Sequence, residues 1–210
     1  MHAVAHEFRP QDLVAGHLAL DFTNTVTARD TTPLDWLDGY ARLVAWAELA
    51  GALATPVAAR LRAEAERAPR EAVAALARAR RLREALHDVC VALLARRSVP
   101  RAALEEIEAA WKRAAARSGF VARDGRLQLE PEAESSGLDL PVDLVVFAAA
   151  ALFAHIDTGR TRVCRGRDCG WLFIDSSKAG RRVWCDMATC GNTAKSRRFA
   201  RAAKRRKSAR

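Results

Sequence analysis

Four cysteines in the last quarter of this 210-residue chain restrict its fold more than any other feature. They are Cys164, Cys169, Cys185 and Cys190, spaced C-x4-C, fifteen residues, C-x4-C. Each close pair offers two sulfurs from one tight bend, and a turn-rich spacer brings the two bends together, as a tetrahedral soft-ligand site requires. Gly166, inside the first pair, is expected to let the backbone turn back so that both sulfurs face one ion. The fifth cysteine, Cys90, lies in an apolar helical stretch and reads as a small buried hydrophobe.

Two disulfides, an iron–sulfur cluster or unliganded redox thiols are the alternatives to a metal ion. Disulfides need an oxidising compartment. The opening MHAVAHEFRPQDL has no basic leader, no apolar run of signal-peptide length and no small-residue cleavage site. The longest apolar stretch, Leu144 to Ala154, falls short of the roughly 20 residues that span a bilayer. A cytoplasmic chain with reduced thiols and no membrane partner is therefore expected. Iron–sulfur spacings differ from this one. The expected cofactor is one structural Zn2+, with four thiolates filling the tetrahedron and no position left for catalysis.

Charge gives the second constraint. The chain carries 35 Lys and Arg against 25 Asp and Glu, a net of +10. From Arg160 onward there are 16 basic and 3 acidic residues, or +13, which leaves 19 basic and 22 acidic residues in 1–159. The whole excess sits with the cysteines, and the end TAKSRRFARAAKRRKSAR has nine basic residues and no acid. Segregation of this kind points to a polyanion, most often nucleic acid.

The first 159 residues have enough apolar content for one ordinary core and read mostly as helix. HLALDFTNTV, residues 17–26, alternates apolar and β-branched residues and predicts a short strand or extended entry. Asp35 to Ala50 follows at helical spacing, with Gly51 where a C-terminal cap belongs. Thr55-Pro56 opens the next helix with a capping hydroxyl. A long helix from Pro69 carries the stripe Val73, Leu76, Ala79, Leu82, Leu86, Val89 and Leu93. Another from Pro100 carries Leu104, Ile107 and Trp111, ending near Gly119. Residues 120–129, FVARDGRLQL, predict a hairpin around Asp124-Gly125. Pro141 to Asp157 is almost wholly apolar and predicts a central buried helix, and Thr158-Gly159 marks a boundary. The fold class expected is mainly α: a helical domain with a minor hairpin over 1–159, a treble-clef-like zinc finger over 160–203, and a disordered basic tail over 204–210.

No phosphate-loop, dinucleotide or nucleophile-elbow motif is present, and His2, His6, His17, His87 and His155 are scattered. His155 reads as a satisfied core residue. The polar run Asp21, Thr23, Asn24 and Thr25 is a candidate effector pocket, with a turn and helix-capping network as the favoured alternative. No catalytic residue is assigned, and no enzyme is expected.

Within the cysteine region, GWLFID alternates as a strand with Trp171 and Phe173 on one face, RRVWC is expected to return as a second strand, and CDMATC to start a helix. Trp171, Phe173, Trp184 and Phe199 are the expected small core. The span Cys164 to Arg201 resembles the CGNR zinc finger on the strength of CGWLFIDSS, RRVWCDMATCGN, Lys195 and the arginines after it. The fourth motif position is Thr193 instead of Arg, which removes one basic contact. HLALDFTNTV is similar to the opening of the helical domain called ABATE, which precedes this finger in proteins described as stress-induced transcription regulators. The resemblance implies a bacterial DNA-binding regulator.

The residues expected on nucleic acid are Arg181 and Arg182 on the returning strand, and Asn192, Lys195, Arg197, Arg198 and Arg201 on the helix. The expected partners are duplex DNA, a small-molecule effector and a second copy of the chain. An RNA-binding protein, or a small-molecule enzyme or carrier recruited by the finger, is the alternative.

Overall fold

The computed structural model describes residues 6–29 and 31–208, with side chains through 200. An extended segment with one turn at Pro10–Asp12 leads into α1 (Leu18–Thr23). The strand expected over HLALDFTNTV is thus a helix, for three reasons. His17 caps it, its imidazole accepting from Ala19 N at 3.3 Å. Ala19, Leu20 and Phe22 are buried on all sides, so apolar spacing no longer reports the backbone period. The Thr23 and Thr25 hydroxyls donate back to the Leu20 and Phe22 carbonyls, 2.8 Å each, and serve the helix end instead of a sheet.

Short strands β1 (Val26–Thr27) and β2 (Leu34–Asp35) pair antiparallel. The next helix, α2 (Tyr40–Leu49), begins five residues later than Asp35. Asp35 is held by strand pairing and by both oxygens bonding Arg83, at 2.7 and 2.9 Å. Gly51 closes α2 at φ +71°. In α3 (Thr55–Arg67) the N-cap is Ala54, so Thr55 is a helical residue and its hydroxyl does not cap.

The longest helix, α4 (Pro69–Leu94), buries Ala72, Ala75, Ala79, Leu82 and Leu86 on one face. Val73 lies off that face and is 68% exposed, against its place in the expected stripe. Helix α5 (Arg101–Ala115) packs on α4 through Ala103, Ala110 and Ala114, leaving Leu104 and Trp111 exposed. The hairpin β3 (Ser118–Arg123) and β4 (Arg126–Pro131) forms where the sequence places it. Asp124 and Gly125, at φ +51° and +71°, make the two-residue turn.

After the short α6 (Ala133–Ser136), α7 (Leu140–His155) runs through the centre against α1, α2, α4 and α5. Ala133–His155 is long and apolar enough to cross a membrane by length and composition, yet half of it is buried inside the protein. It also carries Asp143, which is 1% exposed and bonded by both Arg117 Nη2 (2.6 Å) and Nε (3.0 Å). His155 is an exposed residue at the end of α7, not a core one.

Beyond the turn at 157–160, β5 (Thr161–Val163) pairs antiparallel with β6 (Leu172–Ile174), and the first cysteine pair lies between them. The expected partner of β6, residues 181–185, is a loop instead. Arg182 N donates to Asp175 Oδ2 (2.8 Å) and Arg165 N to Val183 O (3.0 Å), which draws the returning chain to the cysteine turn and away from β6. One π-helical turn, Met187–Gly191, leads into α8 (Asn192–Ser208). Helix continues through 204–208, where a disordered tail is expected, because Ala, Arg and Lys are all strong helix formers.

Candidate metal centre and nucleic-acid surface

The cysteine turn is set by backbone shape on one side and by space on the other. Asp168 and Gly170 take left-handed φ of +62° and +70°, which folds Cys169 back toward Cys164. Gly166 is needed for a different reason from the one its sequence position suggests. A Cβ there would stand 2.7 Å from Cys190 Sγ and 3.3 Å from Cys164 Sγ. Asp186 caps the second pair, its carboxylate accepting from Thr189 N at 2.8 Å and so aiming Cys190 inward from the first turn.

All four sulfurs lie within 4.8 Å of one another. Cys169 and Cys185 are 3.7 Å apart, and Cys185 and Cys190 3.8 Å. A tetrahedron with Zn–S arms of about 2.3 Å has S–S edges of about 3.8 Å, so the cage fits one zinc ion. A disulfide needs sulfurs about 2.05 Å apart. Cys164 is held down at about 2 by hydrogen bonds from the Cys169 and Cys185 thiols and from the Cys185 and Gly166 amides, both at 3.3 Å. Cys169 and Cys185 are pushed up in turn, chiefly by their hydrogen bonds to Cys164 and then by burial and by the charge of the neighbouring sulfurs. A divalent cation replaces this repulsion with attraction and lets all four ionise. Cys90, pushed up to about 12 by burial alone, is chemically quiet.

Phe173 is fully buried beside the cage, Trp171 is nearly so, and Trp184 packs against them. Phe199 is not part of this core: it is 69% exposed on α8. Arg182 takes its place as the clamp. Its guanidinium sits 4.5 Å from the Phe173 ring centroid, and it donates to Trp184 O (2.9 Å) and Cys185 O. Arg182 therefore builds the finger, whereas Arg181 is exposed. Asn192, Lys195, Arg197 and Arg198 are exposed on α8, Asn192 Nδ2 donating to Ala188 O at 3.1 Å. The side chain of Arg201 lies outside the described residues.

Comparison with known families decides between the readings of these two halves. The model ABATE, described as "putative stress-induced transcription regulator", matches residues 16–156, and the CGNR zinc finger model matches 160–206. The chain belongs to the ABATE family. No curated protein matches the chain. Neither description names an enzymatic activity, and the CGNR match together with the sulfur cage gives the ion its identity: one structural zinc.

The ABATE opening motif has a role in this chain that its sequence did not announce. Asn24 Nδ2 donates to Leu172 O and Asn24 Oδ1 accepts from Leu172 N, both at 2.9 Å, so its amide completes the free edge of β6. Trp171 Nε1 donates to Val26 O (3.1 Å), and Ile174 N to Ala15 O (2.8 Å). Alternation along β6 then sends Trp171 and Phe173 into the finger core and fully buried Leu172 into the core of the ABATE domain. Trp36 packs edge-on against Trp171, centroids 5.3 Å apart.

The candidate effector pocket is accounted for by these bonds. Asp21, Thr23, Asn24 and Thr25 are all buried and all partnered, Asp21 Oδ1 accepting from Ala15 N at 2.9 Å. Burial pushes the Asp21 carboxyl up to about 6 against those amide bonds. They form a capping network and a clasp, and none is left facing a ligand. Beside them Arg83, 3% exposed, bonds Asp35, Glu84 and Thr25, and Arg29 bonds Glu84 and the Thr23 carbonyl. Burial opposes the Asp35 charge, but the bonds and charge of Arg83 outweigh it and hold that carboxyl below its ordinary range.

Proposed function

We propose that this ABATE-family protein is a cytoplasmic transcription regulator that binds duplex DNA through its zinc finger and α8. The observation that carries this reading is the placement of Lys195, Arg197 and Arg198. They are exposed on α8, which follows directly on the π-helical turn that carries the zinc ligand Cys190, in a region with a net charge of +13. Contrast with the ABATE domain supports it: there Arg29, Arg62, Arg78, Arg83 and Arg117 all pair with carboxylates. Helix α8 has 17 residues and spans about 25 Å, long enough to follow a groove across several base pairs. The zinc supplies the rigidity, because a finger this small has too little apolar core of its own.

The ABATE domain holds the finger in one orientation through Asn24, so a signal reaching that domain has a rigid path to α8. A salt titration tests the reading. Truncation before Lys204 should lower the slope of log affinity against log salt by several units, each lost phosphate contact counting about 0.9. An unchanged slope removes the tail from binding, and preference for folded RNA over duplex at equal salt overturns the choice of DNA.

A further inference from the structure

The finger carries a second cationic feature, separate from the exposed cations of α8. A groove of about 260 Å³ lies between β5 and the loop 180–183. Arg162, Arg165, Arg181 and Arg182 line it with Val163 and Val183, and no acidic residue contributes to its walls. Two of these arginines are fixed in place. Arg162 Nη2 donates to Gly180 O at 3.0 Å, and Arg182 is clamped over Phe173. The other two, Arg165 and Arg181, are exposed, and among the described residues neither guanidinium has a hydrogen-bond or ion-pair partner. The walls are stitched together by Arg165 N donating to Val183 O.

Four guanidinium groups gathered without a carboxylate repel one another, and an anion relieves that repulsion. Guanidinium forks match the oxygens of a phosphate, and the exposed Val163 and half-buried Val183 between them suit the apolar face of the attached sugar. A carboxylate ligand would leave those valines in water. The zinc cage shapes this groove, because Arg165 follows Cys164 and Arg182 bonds the Cys185 carbonyl.

We infer that this groove seats a backbone phosphodiester of the nucleic acid that α8 engages. Arg165 and Arg181 grip the phosphate, and Arg162 acts as a positioning residue that holds the loop at Gly180. The inference rests on the DNA-binding reading above and extends it to a second contact, which fixes how the finger sits on the duplex.

The test uses zinc-loaded full-length protein and a fluorescently labelled duplex, with Arg165→Ala, Arg181→Ala, their double variant and the double Lys variant. Each alanine should lower the salt slope by about 0.9 and the affinity about five-fold at ~0.15 M salt. The double Lys variant should keep the slope, since it keeps the charge. Zinc content should stay at one per chain, because both side chains are exposed. If an alanine variant loses zinc, Arg165→Gln with Arg181→Gln replaces it as the charge-neutral pair. If the double variant binds as the parent does while Arg197→Ala with Arg198→Ala weakens binding, the groove inference is overturned and the α8 reading stands. If the parent shows no salt-dependent duplex binding, both fall. Inorganic phosphate supplies the last arm: saturable binding of it, with duplex affinity unchanged in the double variant, makes the groove a small-anion site and refutes the backbone contact.

Discussion

Replacing Asn24 by alanine tests whether the finger and the ABATE domain are one cooperative structure. Asn24 is 2% exposed, and its amide makes two bonds, both to the backbone of Leu172. Asn24→Ala strips both partners at once and leaves a buried N–H and a buried C=O unpaired in a site no solvent reaches. Each orphaned group costs about 1–3 kcal/mol, so the pair should cost about 4 kcal/mol. For a chain of this length each kcal/mol moves Tm by about 2–4 °C, which gives a fall of roughly 8–16 °C. Thermal unfolding of the zinc-loaded protein measures it. Zinc transfer to a chromophoric chelator supplies the second readout, because β6 leads directly out of the turn that holds Cys169. Transfer should quicken in the variant. Asn24→Asp keeps an acceptor for Leu172 N but loses the donor to Leu172 O and buries a charge, so it should be no better than alanine. Asn192→Ala, at an exposed position, is the matched control. A Tm within about 1 °C of the parent, with unaltered zinc transfer, would falsify the clasp.

Asp21 predicts a pH dependence of known sign. Its carboxyl rises from an ordinary 3.8 to about 6 in the fold, so the native state takes up a proton across that window and stability falls as pH rises through it. A displacement of this size is worth about 3 kcal/mol. Asp21→Asn should therefore stabilise the protein by up to about 3 kcal/mol at pH 7–8 and by little near pH 4, which urea unfolding at the two pH values resolves; equal gains at both would defeat the reasoning. Arg182→Ala should destabilise the finger and loosen its zinc before it affects DNA, whereas Arg198→Ala should weaken DNA binding and leave zinc transfer unchanged. The reverse pattern would return Arg182 to the nucleic-acid surface.

The zinc site was legible from spacing because its two sulfur pairs are local: six residues in one turn supply each pair, and their geometry depends little on the rest of the chain. The hairpin at Asp124-Gly125 and the buried α7 were legible for the same reason, one through left-handed turn residues and the other through an unbroken apolar run. Errors fell where distant chain segments meet. HLALDFTNTV looked like a strand because a helix buried on every side loses its 3.6-residue signature. Residues 181–185 looked like the partner of β6, but the Asp175 carboxylate, held below its ordinary range by Ser177 and then by the Arg182 amide, fixes that loop elsewhere. The arginines of 181–182 are adjacent and chemically identical, yet one faces solvent and the other lies over Phe173.

By itself the sequence determined which four sulfurs gather, how the excess positive charge segregates and that the first 159 residues are mostly helical around an apolar core. Those properties follow from covalent spacing, formal charge and the periodicity of side chains along single elements. Only the tertiary structure decided that Asn24 clasps β6, that Leu172 crosses into the ABATE core and that Arg182 lies over Phe173 and bonds the Trp184 and Cys185 carbonyls. Each of these is a contact between residues far apart in the chain, where pairing of buried polar groups and filling of space select one partner from many that local pattern allows.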